Sequence, residues 1–303
     1  MPKRPLYLYN EIFAAAPGGG NSSWVVPYAD ELSDAQMGDL ADVLSTPATA
    51  FVLGAGTENT RIRFFSPTGE FSMCGHAVVA AVCTLAEMEL LPSAQQPASL
   101  RLQTPTGEVV VEASRSNSGR RHCAMYQQRP WFKATSTLGN AMAAVLGIAP
   151  DLIDPELPLE TGSTGLKHVF VPLLTKLAMS TVRPDFAGLK NLSDSLGVES
   201  VAVFSQDTGD AQVDVLVRDF CPAIGVNEEA ASGTTNGAVA SYLVRHGRLQ
   251  PDRHGDVNVT ARQGAEMGRP SAIQTQIRVE AGAVEAVKVG GTANQLATAM
   301  LNL

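Results

Sequence analysis

Aliphatic residues alternate with tyrosines at Leu6-Tyr7-Leu8-Tyr9, a two-residue period that predicts a strand. The glycine-rich Pro17-Gly18-Gly19-Gly20-Asn21 predicts a loop, and Trp24-Val25-Val26 a second strand. Ser33 opens a capping signature for a helix over residues 34–44, with Asp30 and Glu31 near its positive end. Residues 50–53 and 61–65 read as strands, and Pro67-Thr68-Gly69 as a turn. From His76 to Leu91 the residues are small and apolar almost all round, which predicts a buried helix ended by Pro92. Short strands separated by turns fill residues 100–126.

The second half repeats the plan. Strands over 166–173, 201–204 and 213–220 precede a second buried helix over 236–246, closed by Gly247, and strands over 257–261, 273–280 and 283–289 follow. Residues 114–121 and 151–159 are polar or proline-rich and read as surface segments. The composition is strand-heavy, with one central helix per half. A repeat is visible in the letters too. Arg63-Phe64-Phe65-Ser66-Pro67 leads to Cys74-Gly75 and a small-residue helix, and Arg218-Asp219-Phe220-Cys221-Pro222 leads to Ser232-Gly233 and another. The two prolines are 155 positions apart, and the second turn is three residues longer, which points to an internal duplication.

Composition agrees with two lobes: 303 residues exceed one typical domain, and 45% hydrophobic with 17% charged residues describes a globular chain with ample core. A net charge of −8 without a basic stripe predicts no nucleic-acid partner. The N-terminal segment starts basic but has no long apolar run and no small-residue cleavage site, so no signal peptide is expected. The longest apolar stretches, such as residues 77–83, are too short to span a membrane. Cys74, Cys83, Cys123 and Cys221 lack Cys-x-x-Cys spacing, which predicts reduced thiols in a cytoplasmic setting. With the five histidines scattered, no metal is expected.

The chemistry is expected at the two turns, with Gly75 and Gly233 just ahead of their helices. Free backbone N–H groups and the helix dipole favour an anion there, so each turn is a possible carboxylate cradle. The same donors stabilise the enolate-like charge formed when an adjacent carbon loses its proton. A thiol at a helix N-terminus is acidified, which makes Cys74 a candidate acid/base. His76 falls in the first turn, Glu228 and Glu229 stand near the second helix, and Ser232 and Thr234 are good caps. Cys83, Cys123 and Cys221 read as core thiols, and His122, His168, His246 and His254 as surface or structural residues. The loop at Gly18–Asn21 lacks a following Gly-Lys-Ser/Thr and is no phosphate loop.

At these turns the chain resembles a known family. Glu70-Phe71-Ser72-Met73-Cys74-Gly75-His76-Ala77 looks like the first active-site turn of the phenazine-biosynthesis, PhzF-like proteins, and Gly225 to Thr234 like the second. Gly20-Asn21, Ala48-Thr49-Ala50-Phe51-Val52, Ser163-Thr164-Gly165-Leu166 and Gln263-Gly264-Ala265-Glu266-Met267-Gly268-Arg269-Pro270-Ser271 extend the likeness over nearly the whole chain. The resemblance implies an α+β, diaminopimelate epimerase-like fold of two pseudo-symmetric lobes. Each lobe is then a barrel-like, mostly antiparallel sheet around a central helix, with the site between them, no cofactor, and often a homodimer. The expected lobes cover residues 1–128 and 129–285, with 286–303 returning to the first.

The chain departs from the family where a shuttling glutamate is usual. That position is Ala48, which cannot carry a proton, while Glu229 matches the usual aspartate of the second turn and Ser232 the second cysteine of the epimerases. The expected function is a cofactor-independent isomerase that moves a proton at carbon next to a carboxylate or carbonyl of a small acid. Glu229 or Cys74 carries the proton with His76 assisting, and Asn21, Gly75, Ser232, Gly233 and Thr234 bind substrate. The alternatives are a one-thiol epimerase or dehydratase using Cys74, and a catalytically silent relative that binds a small acid or a partner.

Overall fold

The computed structural model describes residues 3–91, 98–115, 121–135 and 138–302. The chain divides into two compact units, Met1–Tyr126 with Gly290–Leu303, and Gln127–Val289.

Unit 1 runs β1 (Lys3–Ile12), β2 (Asn21–Val26), α1 (Asp34–Leu44), β3 (Thr49–Leu53), β4 (Arg61–Ser66), β5 (Gly69–Phe71), α2 (Gly75–Glu87), β6 (Ala98–Thr104), β7 (Gly107–Arg115) and β8 (Arg121–Tyr126). Strand β2 lies antiparallel to β1 and parallel to β3, and β3 is antiparallel to β4. A parallel bridge joins β4 to β6, and β6, β7 and β8 form a meander. Helix α2 packs against β1–β4, β7 and β8, and Ala77 to Leu85 are all buried, so its small residues let strands approach from every side. Helix α1 carries the expected capping box of Ser33 and Gln36 and lays Met37, Leu40 and Ala41 over Val26, Phe51 and Phe65.

Helix α2 stops earlier than its apolar pattern suggests. It ends at Glu87, not near Leu91, because Glu89 turns left-handed (φ 58°) and Leu90 N–H closes onto the Leu85 carbonyl at 2.8 Å. Pro92 lies outside the described residues, as do residues 116–120 of the expected surface segment at 114–121.

Unit 2 runs β9 (Trp131–Ala134), α3 (Gly139–Leu146), β10 (Glu160–Ser163), β11 (Lys167–Pro172), α4 (Lys176–Thr181), α5 (Phe186–Leu196), β12 (Ser200–Ser205), β13 (Val215–Cys221), β14 (Val226–Glu229), α6 (Gly233–Arg245), β15 (Asp256–Gln263) and β16 (Ser271–Glu280). Strand β17 (Ala283–Thr292) leads into β18 (Asn294–Asn302), which pairs antiparallel with β1 and completes unit 1. The pairing order of unit 1 recurs: β11 is antiparallel to β10 and parallel to β12, β12 is antiparallel to β13, β13 is parallel to β15, and β15 is antiparallel to β16. Helix α6 stands where α2 stands, between the short strand and the next parallel one.

Beyond one central helix, the described residues of unit 2 carry three α-helices that the sequence pattern did not announce. Met142, Leu146, Met179, Val182 and Leu189 of α3–α5 and the segments beside them cover Val169, Val171, Val201 and Val203. Strand β12 is therefore buried at every residue, one face toward α6 and the other toward α4 and α5. Both central helices also start earlier than expected, the first by one residue and the second by three. Gly75 and Gly233 are the first helical residues, and Cys74 and Ser232 are the N-caps.

Candidate functional site

The first turn is clamped from below. Arg63 on β4 holds Glu70 on β5 through two hydrogen bonds, Nε to Oε1 and Nη2 to Oε2, both 2.7 Å. Its guanidinium also donates to Asp34 at 2.6 Å and lies 5.2 Å over the Phe65 ring. This arginine holds both carboxyls below the usual carboxylate range. Four residues after Glu70, Cys74 caps α2 in an extended conformation and makes no side-chain cap bond. Its Sγ lies 3.4 Å from His76 Nδ1 and 3.5 Å from Nε2, and Asn21 Nδ2 lies 3.3 Å from His76 Nδ1. Asn21, Cys74, Gly75 and His76 are thus gathered at one helix N-terminus.

Ala48 is fully buried immediately before β3, and its carbonyl accepts from Ser23 Oγ at 3.0 Å and Thr46 Oγ1 at 2.9 Å. Only a methyl stands where the resemblance expects a carboxylate.

The second turn has the same clamp, more deeply set. Arg218 on β13 grips Glu228 on β14, Nε to Oε1 at 2.8 Å and Nη2 to Oε2 at 2.9 Å, and lies 4.9 Å over Phe220. Four residues on, Ser232 caps α6 and accepts from Thr235 N–H at 3.4 Å. Gln263 ties the turn down: its Nε2 donates to the Glu229 carbonyl at 2.7 Å, and its Oε1 accepts from Ser232 N–H at 3.3 Å and Asn236 Nδ2 at 2.7 Å. Gly264 must be glycine, because its φ is +76° and a Cβ would sit 2.6 Å from the Ala230 carbonyl. Thr234 packs beside Ser232, with the two hydroxyls 3.3 Å apart, and its carbonyl accepts from Thr164 Oγ1 at 3.1 Å. Glu229, Ser232, Gly233 and Thr234 are thus gathered at the second helix N-terminus.

Several residues behind this turn were missed by sequence reasoning. Asp219 is fully buried on β13 and accepts from Thr235 Oγ1 at 2.7 Å, from Ser200 Oγ, and from Cys221 Sγ at 3.4 Å. His168, read as a surface or structural residue, lies in this buried network with Nε2 2.9 Å from Thr235 Oγ1. Burial pushes its imidazole below the ordinary value, against the opposing pull of Asp219. Burial, then Asp219, pushes the Cys221 thiol far up, as burial does for Cys123, so neither is a ready thiolate. The one sequence signal was an adjacent Arg-Asp pair inside an otherwise apolar strand. Among the described residues, no three of His, Cys, Asp and Glu converge as metal ligands. Nor is any described helix long and apolar enough to cross a membrane.

Residues 10–299 match the phenazine biosynthesis-like (PhzC-PhzF) family. The chain belongs to that family. Among the PhzF-like proteins it is 35% identical to an uncharacterised isomerase of Deinococcus radiodurans, over 95% of this chain and 92% of the other. It is 30% identical to the trans-2,3-dihydro-3-hydroxyanthranilate isomerase of Pseudomonas chlororaphis, over 94% and 95% of the two chains. The crystal structure of a Bacillus anthracis PhzF-family protein superposes on it with a TM-score of 0.87 at 24% identity, covering all of both chains. The PhzF-like fold is the diaminopimelate epimerase fold, as the resemblance implied.

Proposed function

We propose that this PhzF-like protein is an isomerase that moves a proton at a carbon next to a carboxylate or carbonyl of a small acid, without a cofactor. The carrying observation is the doubled turn. Each has an arginine–glutamate clamp, a cap residue bearing a protic atom (Cys74 Sγ, Ser232 Oγ), and the N-terminal backbone N–H groups of a long buried helix. Those N–H groups suit a carboxylate and the enolate-like charge that follows deprotonation. Cys74 or Glu229 carries the proton, His76 assists Cys74, and Asn21, Gly75, Ser232, Gly233 and Thr234 bind the acid. A homodimer in the cytoplasm belongs to the same proposal and is checked by sedimentation and fractionation.

The test is proton NMR in deuterated water, with trans-2,3-dihydro-3-hydroxyanthranilate and a panel of α-amino and α-hydroxy acids. Deuterium entering one carbon supports the reading. Full activity in both Cys74→Ser and Glu229→Gln overturns the assignment of the proton carrier. Inactivation by a thiol alkylating agent, with protection by substrate, favours a one-thiol epimerase or dehydratase. A second reading, a catalytically silent binder, is favoured by the buried methyl of Ala48. It predicts calorimetric binding of a panel acid with no exchange at any carbon.

A further inference from the structure

The two units can be overlaid residue by residue through their clamps. Arg63 and Phe65 correspond to Arg218 and Phe220. Strand register pairs Thr49 with Phe65 and Trp24, and Val201 with Phe220 and Val169. One step back along each strand, Ser23 therefore corresponds to His168, Ala48 to Ser200 and Phe64 to Asp219. The helix caps match Ala77 to Thr235. All eight residues are fully buried. Unit 1 fills these four places with a serine, an alanine, a phenylalanine and an alanine. Unit 2 fills them with a histidine, a serine, an aspartate and a threonine.

Burying a carboxylate costs free energy unless every lone pair is served. Unit 1 shows that the shared scaffold is built without this set, so the fold alone does not call for it. The set is also connected outward. Asp219 Oδ2 takes the hydrogen of Thr235 Oγ1 at 2.7 Å, and Thr235 Oγ1 lies 2.8 Å from Ser232 Oγ, the half-buried cap of the turn. Thr235 has a single hydrogen, which it gives to the carboxylate, so its lone pairs accept from Ser232 O–H and from His168 Nε2–H. A neutral imidazole suits that donation, and burial keeps His168 neutral. The Ser232 hydrogen then points inward, leaving Ser232 oxygen as an acceptor at the turn.

We propose that Ser232 is the proton acceptor of the second turn, with Thr235 relaying its hydrogen to Asp219. This rests on the carbon-acid reading above and puts Ser232 in place of Cys74 or Glu229 as the proton carrier. As the substrate C–H bond breaks, its proton bonds to Ser232 Oγ and its electron pair stays on carbon as the enolate. The Ser232 hydrogen passes to Thr235 Oγ1, and the Thr235 hydrogen to Asp219 Oδ2. The carboxylate ends neutral, the substrate carries the negative charge, and each hydrogen bond has reversed. Return of the proton to a neighbouring carbon runs the relay backwards. A serine that is a poor base by itself becomes competent because the charge change occurs on Asp219.

The test measures washout of carbon-bound tritium from the panel acid that the wild type exchanges. Thr235→Val, Asp219→Asn and Ser232→Ala are expected to lower the rate by about 10²–10⁴-fold, the usual worth of a positioned base. Calorimetric affinity for the acid stays within about threefold in Thr235→Val and Asp219→Asn, on the same order as unchanged binding, and Thr235→Ser restores most of the rate. In mixtures of light and heavy water the wild-type rate bends with deuterium fraction, since several hydrogens move together, and the residual Thr235→Val rate is linear. Wild-type rates in Thr235→Val and Asp219→Asn overturn the relay and leave the isomerase reading standing. A wild type inert toward every panel acid overturns both. Should Thr235→Val fail to fold, Asp219→Asn with the Thr235→Ser rescue decides the matter.

Discussion

The duplicated clamp supplies its own control experiment, because the same arginine–glutamate pair occurs at two depths. Arg218 and Glu228 expose 6% and 12% of their side chains, against 18% and 37% for Arg63 and Glu70. Arg218→Met keeps the aliphatic bulk and leaves Glu228 charged in a nearly closed site. The substitution also strips hydrogen bonds from the Met179 and Val182 carbonyls. Breaking a buried pair from one side costs about 3–5 kcal/mol, and the slight exposure of Glu228 places this case near about 3 kcal/mol. Arg63→Met removes the pairs with Glu70 and Asp34, whose carboxylates are open to solvent, and screening leaves about 0–1 kcal/mol for each. Urea unfolding followed by circular dichroism reads both. A scan should show Arg218→Met lowering the midpoint by about 6–12 °C. Adding Glu228→Gln to Arg218→Met should recover stability, since the uncompensated charge is gone. Equal losses in the two arginine variants, or no recovery in the double variant, would refute the argument that depth sets the cost.

Two further outcomes follow from other parts of the structure. His168 has its imidazole pushed below the ordinary 6.5, so in the window just under 6.5 the unfolded chain binds more protons than the folded one. Stability therefore falls as pH drops through that window, by up to about 1.4 kcal/mol per pH unit, while Asp219 and Glu199 pull the other way. His168→Gln should flatten this acid limb in urea titrations run from pH 7 to 5, and an unchanged limb counts against it. Gly290→Ala places a Cβ 2.6 Å from Ala124 Cα and closer still to the Cys123 carbonyl, and should cost at least about 1–3 kcal/mol. Gly139→Ala in α3, with open space around the new methyl, should stabilise by about 0.5–1 kcal/mol; thermal scans with the two variants ranked otherwise would sink the packing argument.

The parts of the fold readable from sequence were those with a strong local signature. Helix α2 is small and apolar almost all round, α6 repeats its small-residue run after a matching turn, and the Ser33 cap announces α1. The end of α2 was not readable, because a glutamate, not a glycine, takes the left-handed turn at Glu89. Helices α3 to α5 escaped for a different reason. They are six to eleven residues long and bury few residues each, so no sustained period marks them, and only the caps at Thr175 and Asp185 hinted at two of them. At the site, residues next to each glycine were legible from the repeat. Asp219, His168 and Thr235 were not, since they come from two strands and a helix far apart in the chain and meet only through strand register. Gln263 stood in a quoted family stretch, but its grip on the turn backbone needed coordinates.

The pairing of β1 with β18 also has a bearing on how the protein is made. The register runs from Lys3 opposite Asn302 to Asn10 opposite Asn294, so one edge of β1 has its partner almost three hundred residues downstream. Unit 2 is a single continuous stretch, Gln127–Val289, and has all its strands as soon as that stretch is synthesised. Unit 1, though started first, waits with an open strand edge until residues 294–302 have emerged from the ribosome. An unpaired edge invites pairing with another chain. Nascent chains arrested before residue 290 should therefore be the aggregation-prone species, and the half of the protein begun first is the half finished last.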